Sequence, residues 1–457
     1  MIRECRVIQR KLTQGKKKTE NVEKVFVRLM LQGKVSAALR WIGSQRSGRM
    51  EITEDVLDVL RKKYPKAAPV VEGAVIQGPI EACQKVLYDN IDGAMIYQAA
   101  KRTHSSAGPC GLDSEGLSRM LCSKQFKSKP AELCEAVAVF ARKLCSEYVD
   151  PADISSYTAS RLIPLDKNPG VRPVGVGEVL RRIVGKAVTM SLKPELIEAT
   201  GPIQVCAGIK GGVEAAIHAL RKVYEDPQTQ GILLVDADNA FNSLNRKAAL
   251  SNIRIVCPEF STYLINTYRE PSKLFVAGSS EHVWSEEGTT QGDNSAMGFY
   301  ACSLTPLVSS YRHLKKEMPK QVWYADDGAA GGTLIQLQDW WVQLCKEGPC
   351  FGYFPKPAKT VLVVKDGLEE EARKMFPGIT VSSVGHRYLG SYIGTEEGKE
   401  KFTQQKIVDW EEDIKALSEI AATEPQAAYS AFIYGTSRRW LFVARSTPRV
   451  AEGLETP

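Results

Sequence analysis

The sequence predicts an α+β fold, in which an antiparallel sheet is flanked on one side by helices and helical regions precede and follow it. Four short apolar runs of strand type, RLIPL, ILLVD, QVWYAD and TVLVV, begin at residues 161, 232, 321 and 360. Helical segments such as VEAAIHALRKVY and LIQLQDWWVQL alternate with these runs. Apolar residues recur at helical spacing on both flanks, so the order is helical region, mixed core and helical end.

The first part of the chain, residues 1–99, is predicted to be a helical N-terminal region. Val22, Val25, Phe26 and Leu29 recur at the spacing that places side chains on one face of a helix. From Ser160 onward the strand-like runs appear, and these mark the beginning of the mixed core.

Composition and charge limit the class of protein. The chain has 457 residues and a formal net charge of +7, and ten Lys and Arg against three acids fall between Met1 and Lys34. Such an excess permits a polyanionic partner but does not demand one. The eleven cysteines contain no Cys-x-x-Cys pair, which favours reduced thiols over a zinc site. No signal peptide or bilayer-length apolar run is present, so we expect an intracellular protein, nuclear or cytoplasmic, without a membrane partner.

Two adjacent carboxylates, Asp326 and Asp327, follow the apolar run QVWY. Like charges in a partly buried turn repel each other, and one is driven to take up a proton unless a cation lies nearby. The simpler interpretation is a solvated turn, because an acid at a strand end is most often an ordinary turn residue. The more specific interpretation is a divalent cation bound between this turn and another acid of the chain.

The other apolar strand that ends in an acid is ILLV, with Asp236 at its carboxyl end. Two strands of one sheet can lie side by side across the ninety residues that separate Asp236 from Asp326. If they do, the acids converge on hard cations that prefer oxygen ligands. Two Mg²⁺ ions about 3.5–4 Å apart are the common arrangement for in-line phosphoryl transfer. One ion lowers the pKa of an attacking hydroxyl and the other neutralises a leaving pyrophosphate.

With these two acidic motifs the sequence resembles the reverse transcriptases, and within them the non-LTR (LINE-like) retrotransposon enzymes. YADD matches the polymerase hairpin and VDADNAF matches the strand that supplies the other metal ligand. Further segments follow the family's order: SSAGPCGLD, RLIPLDKNPGVRPVGVGEVLRRIVGKAV, EGTTQGDNSAM, FPKPAKT and RYLGSYIG. The resemblance implies a right-hand polymerase, with fingers and palm over residues 100–395 and a partial, truncated thumb over residues 396–457.

The resemblance implies a metal site and a proton donor. It assigns metal binding to Asp236, Asp326 and the backbone carbonyl of Ala237, while Asp327 contributes to catalysis less directly. The implied cofactor is a pair of Mg²⁺ ions, for which Mn²⁺ can substitute. Lys359, in FPKPAKT, stands where the family has a lysine that can protonate pyrophosphate.

Nucleotide contacts are implied for two segments. Lys167 and Arg172 would approach the incoming triphosphate, where fixed positive charge stabilises the phosphate oxygens. Gln291 and Gly292 occupy the loop that contacts nucleotide and template, since glycine permits close approach of the backbone. The alternatives are a solvated hairpin for the two cations and the start of a helix, with Asp293 in its first turn, for the loop.

Two further features concern the sugar and the primer. Phe241 lies five positions after Asp236, where RNA polymerases of related pattern have an acid that engages the ribose 2′-hydroxyl. An aromatic ring there would fill the space that this hydroxyl needs, which favours deoxynucleotides, although Phe241 is also a plausible core residue. Tyr388, Leu389 and Gly390 match the hairpin that grips the primer end.

The chain departs from the family pattern in two ways. After QGD the family has Pro-Leu followed by Ser or Ala, whereas this chain has Asn294, Ser295 and Ala296, and Lys356 stands where Asn is expected. No endonuclease is recognisable, and the chain ends soon after the first thumb-like helix. We therefore expect a reading frame taken from a longer polyprotein, with nicking supplied by a separate domain or lost.

The leading hypothesis is an RNA-directed DNA polymerase of a retroelement, whose partners are an RNA template, a DNA primer and dNTP. The second is a catalytically impaired or domesticated protein of the same fold that holds RNA without copying it. The third is a maturase-like splicing cofactor, because the polymerases of group II introns share this core.

Overall fold

The computed structural model describes residues 21–43, 48–81, 83, 85–167, 170–310 and 318–448. The chain forms two compact units, one of residues 47–395 and the other of residues 1–46 together with 396–457. The strongly basic first twenty residues and the end of the predicted thumb, residues 449–457, lie outside the described residues.

The α-helices begin and end as follows, in chain order: α1 (Val22–Leu31), α2 (Val35–Ile42), α3 (Glu54–Lys63), α4 (Gly93–Lys101), α5 (Ser114–Cys122), α6 (Lys129–Ser146), α7 (Ser155–Thr158), α8 (Val179–Ser191), α9 (Lys193–Thr200), α10 (Gly212–Glu225), α11 (Ala240–Ser243), α12 (Arg246–Val256), α13 (Pro258–Tyr268), α14 (Ala296–Ser310), α15 (Leu334–Glu347), α16 (Glu369–Met375), α17 (Glu396–Ala421), α18 (Pro425–Ala431) and α19 (Ser437–Ser446). Several begin at sequence signals that a helix needs. Thr333 and Gln336 form a reciprocal capping box at the start of α15, and the Thr53 hydroxyl accepts from the third residue of α3.

The strands are β1 (Ser160–Asp166), β2 (Val171–Gly177), β3 (Gly231–Val235), β4 (Ser272–Val276), β5 (His282–Ser285), β6 (Lys320–Tyr324), β7 (Asp327–Gly332), β8 (Val361–Val364), β9 (Thr380–Ser382), β10 (Gly385–Tyr388) and β11 (Ser391–Gly394). Within the described ranges they form a five-stranded sheet in the order β6-β7-β3-β8-β9, a four-stranded sheet in the order β2-β1-β4-β5, and the hairpin β10-β11. The four strand-like runs of the sequence correspond to β1, β3, β6 and β8, so these predictions are confirmed.

The five-stranded sheet is antiparallel except for the parallel pair β8 and β9. Helices cover both of its faces, so the expectation of helices on one side is wrong. A Cβ on Gly331 of β7 would meet Val223 of α10, whereas Trp323 of β6 packs edge-on against Trp340 of α15 on the opposite face. Every residue of β3 is buried because helices lie on both sides of it.

In the described part of the chain, one face of the four-stranded sheet contributes to a hydrophobic cluster. Its buried face packs against α3 in a separate hydrophobic cluster, which comprises Val56, Leu57, Leu60, Tyr64, Leu162, Val171, Leu274, Val276 and Val283. β1 pairs antiparallel with β2 and parallel with β4, so this sheet is also mixed.

The segment of residues 48–77 is an integral part of the larger unit. The Met50 N–H donates to the Pro164 carbonyl at 3.0 Å, which pairs this segment with the part of β1 that extends beyond its pairing with β4. Farther along, Asn252 of α12 binds the backbone of the segment through both atoms of its amide group, accepting from Ile76 and donating to Ala74. The compact unit therefore begins about fifty residues before the predicted boundary at residue 100.

The smaller unit is helical and joins two distant parts of the chain. Phe26, Ala38 and Leu39 pack with Leu417, Ile420, Ala428 and Ala431 in one buried cluster. A π-helical turn over Phe432–Thr436 links α18 to α19. Gly435 in that turn lies against Leu39, and a Cβ there would clash with the side chains of Leu39 and Val35 unless they moved.

No helix in the described part of the chain is long and apolar enough to cross a lipid bilayer.

Candidate active site

Asp236 lies directly after β3, in a backbone segment held by the stretch that follows α15. The Lys356 N–H donates to the Asp236 carbonyl and the Asp238 N–H donates to the Phe354 carbonyl, both at 2.9 Å. These two bonds flank Ala237, which bridges Pro355 in antiparallel fashion. Because successive residues of an extended chain point to opposite sides, the carbonyl of Ala237 faces away from Pro355.

Asp326 lies in a two-residue turn, Ala325–Asp326, closed by the pair Tyr324 and Asp327. Ala325 has a φ of 56°, in the left-handed region that costs a residue with a side chain about 1–3 kcal/mol. The buried Gln204 amide compensates, since it accepts from the Ala325 N–H at 2.9 Å and donates to the Ala325 carbonyl at 3.0 Å. The Tyr353 hydroxyl donates to the Asp326 carbonyl at 2.9 Å. Both residues of the turn are thus fixed by buried side chains.

The strand register brings the acids together. Val235 pairs with Gly328, so Asp236 and Asp327 are the next residues at the same end of the β3–β7 ladder. Desolvation in the cleft, followed by the charges of Asp326 and Asp236, raises the pKa of Asp327 to about 7. Desolvation also raises the pKa of Asp326, and Asp236 adds to this effect, while Lys167 and Lys359 oppose it. The three carboxylates therefore lie within electrostatic range of one another.

The donor atoms fit a hard divalent cation. No three or more His, Cys, Asp and Glu side chains of the described residues are grouped so as to hold a metal ion by themselves. Mg²⁺ is nonetheless commonly bound through one or two carboxylates, with water and substrate phosphates completing its coordination. Asp236, Asp326 and the Ala237 carbonyl could supply such an oxygen set, and added positive charge would oppose the desolvation and the repulsion that raise the pKa values of Asp326 and Asp327.

Lysine side chains border the acids. The Lys359 ammonium lies 3.6 Å from Asp236 Oδ1 and 3.9 Å from Asp238 Oδ1, and Lys356 lies 3.3 Å from Asp238 Oδ1. Desolvation lowers the pKa of Lys167, with further contributions from the positive charges of Lys359, Arg172 and Lys63. A group of cations therefore surrounds the acidic centre, which suits a ligand of high negative charge such as a triphosphate.

Lys63 belongs to this group although it comes from α3, far from the motifs in the sequence. The Asn239 side chain, three residues after Asp236, donates to the Lys63 carbonyl at 2.8 Å and connects the end of α3 to the site. Asn239 has a φ of 50°, in the left-handed region that asparagine tolerates. A cavity of about 400 Å³ opens here, lined in part by Lys62, Lys63 and Phe354.

Phe241 is half-buried and stacks on the fully buried Tyr300, with ring centroids 4.5 Å apart and planes inclined by 17°. This contact holds the Phe241 ring in one orientation at the first helical turn after Asp236. Phe241 is therefore a core residue, and part of its ring remains accessible to solvent.

Gln291 and Gly292 lie against β2. The Gly175 N–H donates to the Gln291 carbonyl at 3.0 Å, and Gly292 has a φ of 107°. A Cβ on Gly292 would approach the Gly175 carbonyl to 2.4 Å, so only glycine fits at this crossing. The loop is thereby fixed to the strand that carries Arg172.

Asp293 does not lie in the first turn of a helix, because α14 begins at Ala296. It is buried and pairs with Arg181 of α8 at 2.6 Å, and it accepts from the Tyr268 hydroxyl at 2.7 Å. Two residues that depart from the family pattern join this network. Ser295 donates to Asp293 through its N–H and its hydroxyl, and Asn294 donates to the Arg182 carbonyl.

The hairpin β10-β11 lies near the acids, since the charge of Asp327 contributes, after burial, to a raised pKa of Tyr388. Leu389 and Gly390 form its turn with φ values of 47° and 86°, which is the pattern of a type I′ turn. Tyr388 is 5% exposed, so contact with a primer would fall to the half-buried turn residues.

Gln204, Tyr353 and Lys63 are the residues of this site that sequence reasoning missed. A lone glutamine in a loop, a core tyrosine and a lysine at a helix end carry no motif of their own. The signal that could have pointed to Gln204 is its position in the chain, shortly before a helix and the strand that ends at Asp236.

Comparison with known proteins finds 446 chains of solved structures that are similar to this chain. The chain is similar to telomerase from Candida albicans, solved in complex with a TWJ fragment of telomeric RNA, at a TM-score of 0.39 and 11% sequence identity. The match covers 60% of this chain and 57% of the telomerase chain, which is less than two thirds of either. No protein-family model matches the sequence, and no curated protein matches it.

Proposed function

We propose that the protein is an RNA-directed DNA polymerase of retroelement type, which extends a DNA primer on an RNA template by transfer of nucleotides from dNTP. The observation that carries the proposal is the juxtaposition of Asp236 with Asp326 and Asp327 at one end of the β3–β7 ladder, surrounded by lysines. The ordered motifs of the sequence support a right-hand polymerase with residues 100–395 as fingers and palm and residues 396–457 as part of a thumb.

The residues would share the work as follows. Asp236, Asp326 and the Ala237 carbonyl would hold a pair of Mg²⁺ or Mn²⁺ ions, which when bound lower the pKa of the primer 3′-hydroxyl and neutralise the departing pyrophosphate. Lys167 and Arg172 would bind the triphosphate oxygens and stabilise the charge that develops on them.

Lys359 would donate a proton to the leaving pyrophosphate, because its ammonium lies beside Asp236 and faces the same group of charges. Phe241 would exclude the ribose 2′-hydroxyl by occupying its space. Gln204 and Tyr353 touch no substrate, and they position the turn that carries Asp326.

The hydrogen bonds of Asn294 and Ser295 bear on the alternative of a catalytically impaired protein. Both side chains make hydrogen bonds that help to fix the loop between β5 and α14, Asn294 to the Arg182 carbonyl and Ser295 to Asp293. This favours a working site over a decayed one.

Extension of oligo(dT) on poly(rA) by the purified chain, with Mg²⁺ or Mn²⁺, tests the proposal. The expected result is metal-dependent synthesis by the natural chain and a loss of about 10²-fold or more in Asp326→Ala, since a metal-binding carboxylate is removed. Asp339→Ala, which removes a carboxylate of α15 outside the site, is the matched control and should retain activity. RNA binding without extension would support the RNA-holding alternative, and equal extension by Asp326→Ala would show that the site is wrong.

A further inference from the structure

The four-stranded sheet has one face whose side chains belong to none of the hydrophobic clusters of the described residues. Along each of its strands, buried residues alternate with half-buried or exposed ones. The buried set packs on α3, and the accessible set defines what we name the open face: Arg161, Ile163, Leu165, Arg172, Val174, Val176, Lys273, Phe275, His282 and Trp284.

The open face is continuous with the candidate active site. Arg172 of β2 pairs with Leu165 of β1, so it lies at one corner of the face and also contributes to the cations near Asp236. Arg161 of β1 pairs with Phe275 of β4, which continues the same face onto the β4–β5 hairpin. Three strand spacings carry the surface about 14 Å away from β2.

The chemistry of the open face suits a flexible polyanion that carries flat apolar groups. Its ten side chains include three fixed cations and no carboxylate. Phe275 and Trp284 are 42% and 39% exposed, and His282 makes ring contacts with both. The Lys273 ammonium lies 5.3 Å from the centroid of the Trp284 ring. Exposed aromatic rings interleaved with cations are the usual platform for single-stranded nucleic acid.

Arg161 supplies a further indication. Its Nε is buried against the sheet and makes no hydrogen bond within the described residues. Arg161 lies between the β1–β2 hairpin and the aromatic rings, so its guanidinium adds positive charge along the path of a phosphate backbone across the face.

A cavity of about 780 Å³ lies next to Lys273, Phe275 and Trp284, at the end of the open face formed by β4 and β5. Residues of α7 also line this cavity, together with the carboxylates of Asp150, Glu178 and Glu270. These carboxylates would repel a phosphate backbone, so a nucleic-acid strand would cross the rings of the face and not enter the cavity.

We propose that the part of the open face formed by Lys273, Phe275, His282 and Trp284 binds the single-stranded template ahead of the base being copied, with unpaired bases stacked on Phe275 and Trp284. This inference rests on the proposed function, because the polymerase reaction defines which part of the template lies ahead of the base being copied. A polypeptide is a weaker fit, because the accessible side chains of the face include no carboxylate, amide or hydroxyl group to bind a peptide backbone.

The test measures binding of a fluorescent DNA primer annealed to RNA templates with a short or long 5′ overhang, of about two or about twelve nucleotides. The natural chain should bind the long overhang at least about fivefold more tightly, as stacking of even one base supplies that factor. Phe275→Ala combined with Trp284→Ala should abolish this difference and leave binding of the short overhang unchanged. Lys273→Ala should reduce the slope of log K against log salt by about 0.7, the value for one single-strand phosphate.

A matched double variant, Phe126→Ala with Tyr148→Ala, removes two exposed aromatic rings outside the open face and should retain the preference for the long overhang. Crosslinking of 4-thiouridine in the overhang to the natural chain provides a measurement that needs no variant, and the adduct should map to residues 272–285. Adducts elsewhere would overturn the inference, as would equal binding of both overhangs by the natural chain.

The two proposals fail separately. Primer extension without any effect of overhang length would overturn the template surface and leave the polymerase standing. An overhang effect that depends on Phe275 and Trp284 in a chain that extends no primer would support the surface and overturn the polymerase. Loss of a protein partner in the double variant, with overhang binding intact, would make the face a protein interface and overturn the inference.

Discussion

The turn that carries Asp326 depends on the side chain of Gln204. Without the two bonds from this amide, Ala325 keeps its left-handed strain and loses the groups that satisfy its backbone. We predict that Gln204→Ala lowers kcat by about tenfold or more, since a small displacement of a catalytic group has effects of that size. The KM for dNTP should change little, because Gln204 does not touch the nucleotide site. Steady-state kinetics of primer extension provides both numbers.

A second substitution separates positioning from general destabilisation. Ala325→Gly removes the strain at this position, since glycine adopts positive φ freely, and should restore part of the kcat that Gln204→Ala loses. Gln338→Ala removes a partly buried hydrogen bond from the side-chain amide to the Met375 carbonyl, remote from the turn, and should leave kcat unchanged. A loss of kcat in Gln338→Ala equal to that in Gln204→Ala would contradict the positioning role.

Phe241 gives a prediction about the sugar. Replacing it with Val opens space beside Ala240 while Tyr300 still closes the core beneath. We predict that Phe241→Val increases ribonucleotide incorporation relative to deoxynucleotide by about tenfold or more, because exclusion by shape is worth about that much or more. Competition between rNTP and dNTP in single-nucleotide extension measures the ratio. Phe354→Ala, an exposed ring near the same site, should leave the ratio as it is, and an unaltered ratio in Phe241→Val would remove Phe241 from the sugar site.

These residues also show what the sequence can predict about a site. An acid at the end of an apolar strand is visible in the sequence, so Asp236 and Asp326 could be named in advance. Gln204 and Lys63 could not, because each acts through the place to which the fold brings it. The strain at Ala325 was equally invisible, since alanine gives no sign that it needs a positive φ.

Among the elements, α8 and the loop before α14 are joined by the buried pair of Arg181 and Asp293, whose side chains are 2% and 3% exposed. Burial alone would raise the pKa of Asp293, but Arg181, the Tyr268 hydroxyl and Ser295 together hold that pKa below its ordinary value. A carboxyl with a lowered folded-state pKa stabilises the protein fully above its unfolded value of about 3.9 and ceases to do so as the pH falls through the folded-state pKa.

We therefore predict that Asp293→Asn destabilises the larger unit by about 3–5 kcal/mol at neutral pH, because Arg181 then remains buried without its counter-charge. The difference in unfolding free energy between Asp293→Asn and the natural chain should become smaller as the pH falls below about 3.9. Urea unfolding followed at pH 7 and in acid measures both effects. As a control, Glu115→Gln breaks the exposed ion pair with Arg119, whose N···O distance is also 2.6 Å. This change should lower the free energy of unfolding by about 1 kcal/mol or less. Similar losses of unfolding free energy in Asp293→Asn and Glu115→Gln would contradict the role that we assign to burial of the Arg181–Asp293 pair.

Elements were more predictable than their arrangement. The run ILLV could be recognised as a buried strand from its composition, but covering by helices on both faces follows from contacts of α10 and α15 that no local pattern records. The segment of residues 48–77 shows the same limit. Its extended stretches carry few periodic apolar residues, and its bonds to β1 and α12 join positions more than a hundred residues apart.

For the whole molecule, the two compact units have separate hydrophobic clusters. Leu39 is 2% exposed in the cluster of the smaller unit, and Leu57 is 3% exposed in a cluster of the larger one. The smaller unit forms from both ends of the described chain, so its helices depend on each other although hundreds of residues separate them. A cavity at Leu39 should then loosen residues 21–43 and 396–448 together.

The matched variants Leu39→Ala and Leu57→Ala test this division into two units. Each removes the same buried atoms and should lower the free energy of unfolding of its unit by about 2–5 kcal/mol. We predict that hydrogen exchange in Leu39→Ala rises in peptides from both segments of the smaller unit and stays unchanged in β3, β6 and β7. In Leu57→Ala the increase should fall on α3 and the four-stranded sheet, with no change in α17. If either variant raised exchange throughout the chain, the two units would unfold as one, and the helices of the smaller unit would owe their stability to more than the cluster around Leu39.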